Sequence, residues 1–203
     1  MPKVDYTAYH FDTALLPVIW TICGVQLKPF SLGHFVILKQ LKSPMINEQE
    51  RDLGIQEGLY WFFNALLVCA LSYEDNLELM QNEAEFEKTY KQFTENLLKN
   101  IGQEKDWNIF SKLHMFKQYM SYYMEMPIFD EEGKPSEKSP SGIDWIQNIF
   151  VTFKKLGYDD IEILNMNFRK LFYEWTSYAE GEGAIRVWNK TNLDQLALAR
   201  GLL

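Results

Sequence analysis

Histidine and cysteine are scarce in this chain, with three of one and two of the other among 203 residues. His10, His34 and His114 stand alone. None has a cysteine, histidine or carboxylate at a metal-holding spacing such as H-x₃-H or C-x₂-C, so each reads as a surface or packed histidine. Cys23 and Cys69 share no motif and lie in apolar surroundings. They read as two buried, reduced thiols rather than a disulfide framework. Basic residues are also few: 20 Lys and Arg stand against 28 Asp and Glu, for a net charge of −8 and a pI near 5.0. Charge-driven binding to nucleic acid or anionic membrane needs clustered Lys and Arg, so neither is an expected partner.

Long apolar runs are missing as well. The strongest, Tyr60–Leu71 (YWFFNALLVCAL), falls short of the ~20 residues that a membrane span requires. It reads instead as a helix buried on all sides. Leu15–Val25 is preceded by Asp5 and Asp12 and interrupted by Pro17. It lacks the basic start and small-residue cleavage site of a signal peptide. The sequon Asn189-Lys190-Thr191 therefore has no secretory context, and the expected location is the cytoplasm. Catalytic signatures are equally thin. There is no G-x-S-x-G and no P-loop, and Gly181-Glu182-Gly183 follows a helical pattern rather than a strand. Glu131 and Glu132 lie in a polar stretch where nothing would raise a carboxyl pKa for acid–base work. No catalytic residue, metal or cofactor is expected.

What the chain has in quantity is apolar and aromatic side chains, 47% and 15% of its residues. That is enough to bury a sizeable core. The patterning is helical almost throughout, and the fold class is all-α: an irregular multi-helix bundle with a small β-hairpin near residues 18–27. Ser31, after Lys28-Pro29, is placed to cap a helix that ends at Ser43-Pro44. A central helix runs from about Gln56 to Ser72. Residues 73–100 read as one acidic amphipathic stretch, with Leu77, Met80, Ala84, Phe86, Tyr90, Phe93 and Leu97 facing inward. Residues 72–106 hold nine acidic and four basic side chains. They form a solvated face or a contact for a basic partner. Residues 106–125 are again helical in pattern, carrying Trp107, Phe110, Leu113, Phe116, Tyr119, Met120 and Tyr123.

The proline- and charge-rich stretch 127–142 reads as a linker or loop. It divides an N-terminal helical part, 1–126, from a C-terminal helical unit, 143–203, although the two could form one compact domain. In the second part Ile143, Ile146, Ile149, Phe150, Phe153 and Leu156 make one helical stripe, closed at Gly157. Asp159 and Glu162 form a capping box, with Tyr158 and Ile163 as its hydrophobic staple. Asn167 starts a further helix, with Met166 and Leu171 as the second staple and with Phe168, Leu171, Phe172, Trp175 and Tyr178 on its apolar face. Asn192 and Gln195 are placed to cap a last helix. Three consecutive helices at 143–180 also fit a helix-turn-helix reader of DNA. Its third helix offers Arg169 and Lys170 but also Glu174 and Glu180, a poor footprint for phosphate.

Two aromatic groups stand out as binding candidates: Phe168, Phe172 and Trp175, and the cluster around Tyr119 and Tyr123. Core packing and a partner-binding groove are both open readings, since aromatics dominate both.

The segment Leu156-Gly157-Tyr158-Asp159-Asp160-Ile161-Glu162-Ile163-Leu164-Asn165-Met166-Asn167-Phe168-Arg169-Lys170-Leu171 resembles the recurring segment of tailed-phage tail assembly chaperones. In that family a Leu-Gly turn leads to a capped short helix, and a capped step then opens the next helix. This chain has Asn167 at the cap, lacks the usual Pro, and carries Lys170 in place of the following Glu. Upstream, Gly24-Val25-Gln26-Leu27-Lys28-Pro29-Phe30-Ser31-Leu32-Gly33-His34 is similar to a segment of prophage tail-region proteins. The resemblance implies a small helical protein without catalytic residues. Such a protein binds the long, largely helical tape measure protein, or another tail protein, in the host cytoplasm and keeps it soluble until tail-tube subunits assemble around it. A structural or adaptor protein of the virion is the alternative, and a helix-turn-helix regulator a more distant one.

Overall fold

The computed structural model describes residues 18–46, 54–104, 107–125, 129–131, 145–183 and 185–187. Among these residues there are eight α-helices and four short strands, which form two compact units.

The first unit comprises Val18–Tyr123 together with Leu164–Met166. It opens on an antiparallel hairpin of β1 (Trp20–Ile22) and β2 (Val25–Leu27), in which Trp20 stands opposite Leu27. This is the hairpin that the sequence predicts. Its two-residue turn, Cys23-Gly24, has φ of 52° and 73°. Positive φ at both positions is what a type I′ turn demands. A Cβ on Gly24 would also lie 2.6 Å from Asn100 Nδ2, whose amide donates to the Cys23 carbonyl at 3.3 Å.

Helix α1 (Leu32–Gln40) starts at Ser31, as its position after Lys28-Pro29 leads one to expect. The cap is unusual in its third member. Ser31 Oγ accepts from the His34 N–H, and the Ser31 N–H donates to His34 Nδ1 at 3.1 Å. Helix α2 (Ile55–Ala70) is buried without a break from Phe62 to Cys69. Eight consecutive buried residues cover every face of two turns, which explains the absence of alternation in that run. No helix among the described residues is long and apolar enough to cross a membrane.

Over residues 73–100, read from the sequence as acidic and amphipathic, the helical path is broken once. Two helices form, α3 (Tyr73–Gln81) and α4 (Glu83–Gln103), separated at Asn82. Asn82 is extended, and its side chain accepts from the Glu85 N–H at 3.2 Å. An Asn side chain competes for backbone donors and favours a cap over a helix interior. Ser72 and Asp75 form a full capping box on α3. Helix α5 (Ile109–Met124) completes the unit.

At the centre of this unit is a largely buried aromatic network. The Tyr119 ring lies 6.0 Å from Trp20, 5.8 Å from Phe30, 5.6 Å from Phe116 and 5.6 Å from Tyr123. Phe116 in turn meets Phe62 of α2 edge-on at 6.0 Å. The two tyrosine hydroxyls are satisfied inside: Tyr119 donates to the Lys28 carbonyl at 2.7 Å and Tyr123 to the Val18 carbonyl at 2.8 Å.

Gly33 shows how closely α1 is approached. A Cβ there would sit 2.6 Å from Tyr73 Cδ2 and 2.8 Å from the Leu164 backbone oxygen. Helix propensity favours Gly33→Ala by about 1 kcal/mol, but forcing a methyl against a backbone oxygen costs about 1–3 kcal/mol. Gly33→Ala therefore lowers the thermal midpoint. An unchanged or raised midpoint would mean that the Tyr73 ring and the 164 backbone yield freely.

The second unit holds the remaining described residues. Helix α6 (Trp145–Lys155) ends in a Schellman motif at Gly157, whose φ is 96°. The Tyr158 N–H donates to the Phe153 carbonyl and the Gly157 N–H to the Lys154 carbonyl, both at 3.1 Å. The Phe153 and Tyr158 rings meet across that turn at 5.4 Å, the apolar contact that accompanies this motif. The Asp159–Glu162 capping box then forms reciprocally, at 2.9 and 2.7 Å, and starts α7 (Asp160–Asn165). Helix α8 (Phe168–Gly181) starts at Asn167, which accepts from the Lys170 N–H at 3.0 Å. Met166 and Leu171, the predicted staple, are both buried.

Three residues of the stretch 127–142, read from the sequence as a linker or loop, are among the described residues. Within it β3 (Phe129–Glu131) pairs antiparallel with β4 (Ile185–Val187), Phe129 opposite Val187. Alternation over three residues is too short a signal to separate a strand from a loop. The rest of that stretch, and the helix expected after Asn192, lie outside the described residues.

Candidate partner surface

The structure separates the aromatic side chains into buried and open sets, and the division differs from the expected one. Four of the five candidate binding residues, Tyr119, Tyr123, Phe168 and Phe172, are buried. A side chain packed in this way has no face to offer a partner, so these four are core. Trp175 is half-buried, and Tyr178, farther along α8, is exposed.

The open set lies on α2 and α4. Along α4, Phe86, Tyr90, Phe93 and Leu97 recur at spacings of four, three and four. At 100° per residue these positions share one narrow seam. The sequence predicts this seam, with Leu77, Met80 and Ala84, as an inner face. Of all seven only Leu97 is buried, and Ala84 is exposed. Phe86, Tyr90 and Phe93 are half-covered. The rings continue onto α2: Tyr90 meets Tyr60 edge-on at 5.7 Å and stacks on Phe86 at 6.2 Å, while Tyr60 meets Trp61 at 5.5 Å. Tyr60 is 49% exposed, and Ile55 in the first turn of α2 is 80% exposed. The first turns of α2 therefore stand outside the core that its second half fills.

Charge surrounds this seam unevenly. Glu83, Glu85 and Glu87 flank its first turn, and Glu74, Asp75 and Glu78 lie on α3. The bases of α4 are Lys88, Lys91 and Lys99, of which Lys88 pairs with Glu85 at 3.4 Å. On the opposite side of α4 a shallow groove of about 540 Å³ is lined by Ala84, Glu87, Lys88, Lys91, Gln92 and Glu95. These residues form the helix's polar stripe, and their mixed charges present no convergent pair for acid–base chemistry.

Among the described residues no three His, Cys, Asp or Glu side chains converge as a metal site. His34 is buried with both ring nitrogens engaged, Nδ1 by the Ser31 N–H and Nε2 donating to the Leu71 carbonyl at 2.8 Å. Both cysteines are buried free thiols. Burial pushes the Cys69 thiol up to about 12 and raises Cys23 as well, so neither is a thiolate at neutral pH.

No protein-family model, curated protein or solved structure matches the chain.

One of the two bases that α8 offered to DNA is unavailable. Arg169 is 1% exposed and donates to Glu125 at 2.9 Å, and Lys170 lies 3.6 Å from Glu174 on its own helix. What the sequence reasoning missed is the open pair Tyr60 and Tyr90. The available signal was the narrowness of the α4 stripe. An apolar seam about one residue wide suits pairing with another helix better than burial against a core.

Proposed function

We propose that this chain is a non-enzymatic assembly protein of tailed phages: a tail assembly chaperone, or a close relative in tail morphogenesis. It acts in the host cytoplasm by covering apolar helix faces of the tape measure protein until the tail tube forms. The observation that carries this reading is the half-covered aromatic seam on a 21-residue helix whose first turn is acidic. An aromatic stripe on a helix is a surface that a partner helix can complete. A net charge of −8 would keep the complex dispersed. The likeness of residues 156–171 to the recurring chaperone segment supports the same reading.

The test is co-expression of the tagged chain with its neighbouring gene products, followed by affinity capture. The expected result is a long, helix-rich protein retained in near-stoichiometric yield, insoluble when expressed alone, with the chaperone absent from finished particles. Its presence in purified particles would favour a structural adaptor instead. Capture of the chain alone, or of nucleic acid that high salt removes, would overturn the proposal.

A further inference from the structure

Two aromatic networks lie in the first unit, and only one is largely buried. In the network around Tyr119 every ring but the half-buried Trp20 is buried, and the Tyr119 and Tyr123 hydroxyls bond to backbone carbonyls. The run Trp61–Tyr60–Tyr90–Phe86 joins α2 to α4 and contains no buried member. Rings held in mutual contact yet left half-open form a preorganised apolar surface, since they lose little further freedom on binding. The seam's spacing of four, three and four is that of a helix-pairing interface. Its flanks are acidic: Glu83, Glu85 and Glu87 at the start of α4, with Glu57 in the first turn of α2.

We infer that the α4 seam, with Tyr60 of α2, docks one amphipathic helix that carries large aliphatic side chains on one face and Lys or Arg at its edges. This deepens the proposed function and rests on it. A second copy of the chain is a poorer occupant, because parallel pairing would set one glutamate-bearing start of α4 against another, and each chain bears a net charge of −8. A basic helix meets those glutamates with opposite charge, while its aliphatic stripe covers Phe86, Tyr90 and Phe93.

The experiment uses the full chain and two synthetic peptides of about three heptads, with leucines at a and d positions and either lysine or glutamate at the edges. Binding is followed by Trp fluorescence and calorimetry. The lysine peptide binds and its affinity falls as salt rises, whereas the glutamate peptide does not bind. Phe86→Ala with Tyr90→Ala weakens the lysine peptide about tenfold or more, as loss of central aromatic anchors does. Should that pair unfold the chain, Glu83→Gln with Glu87→Gln decides the matter by reducing both affinity and its salt dependence.

Equal binding of both peptides, or no effect of either pair of substitutions, overturns the assignment. So does a dimer of the free chain that Phe86→Ala with Tyr90→Ala dissociates. The two proposals fail separately. If the Phe86→Ala, Tyr90→Ala protein still captures a long helical partner from co-expression, the function stands and this surface is wrong. If the lysine peptide docks on the seam but no tail protein is captured, the surface stands and the function is wrong.

Discussion

Tyr119→Ala destabilises the fold by about 3–5 kcal/mol in a denaturant melt, as truncation of a large buried ring does. The ring touches Trp20, Phe30, Phe116 and Tyr123 at centroid distances of 5.6–6.0 Å, so its removal opens a cavity bounded by four other rings. It also leaves the Lys28 carbonyl without the donor that now lies 2.7 Å away. Tyr119→Phe separates the two effects, keeping the ring and costing about 1 kcal/mol for the lost hydrogen bond. An unchanged melting curve for Tyr119→Ala would return this residue to the interface candidates and remove it from the core.

The second large effect is a pH dependence set by His34. Burial lowers its pKa from 6.5 to about 4. Above pH 6.5 the ring is neutral in both folded and unfolded chains, and the full stability is present. Between about 6.5 and 4 the unfolded chain takes up a proton that the folded chain refuses. Stability therefore falls as pH falls across that window, by about 3 kcal/mol in total, and this contribution changes no further below it. Structurally, Nδ1 must accept from the Ser31 N–H, and a protonated ring cannot accept there. Urea melts at a series of pH values check this, with His34→Gln as the comparison. The difference in slope between the two proteins isolates His34 from the carboxylates that titrate in the same range. Parallel curves would refute the assignment.

Local backbone chemistry was legible in the sequence wherever one side chain decides the outcome. Ser31, Asp159 with Glu162, Asn167 and Gly157 all do what their types and spacings lead one to expect, because caps and αL turns are settled within a few residues. The hairpin at 20–27 was legible from the β-branched and aromatic residues around Cys23-Gly24. The failures share a different cause. The apolar faces of α4 and α8 look alike as periodicities, yet Phe168, Leu171 and Phe172 are buried while Phe86, Tyr90 and Phe93 are not. Periodicity states that a face is apolar; what covers it is a tertiary fact. Phe110 makes the same point, since it sits within the pattern of α5 and is 77% exposed.

The membership of Leu164–Met166 in the first unit has a consequence for synthesis. The Leu32 N–H, an unpaired donor at the start of α1, bonds to the Met166 carbonyl, and the Tyr73 N–H at the start of α3 bonds to Asn165 Oδ1, 92 residues farther along. Asn165 also donates to Glu74 at 2.6 Å. The ribosome therefore finishes Tyr123 without having made the three residues that close two helix starts. About forty more residues must follow, which takes several seconds at about 5–20 residues per second. Through that interval the local Ser31 and Ser72 caps can form, but the Leu32 and Tyr73 N–H groups lack their Met166 and Asn165 partners. Completion of the N-terminal unit is thereby timed by the arrival of a C-terminal segment.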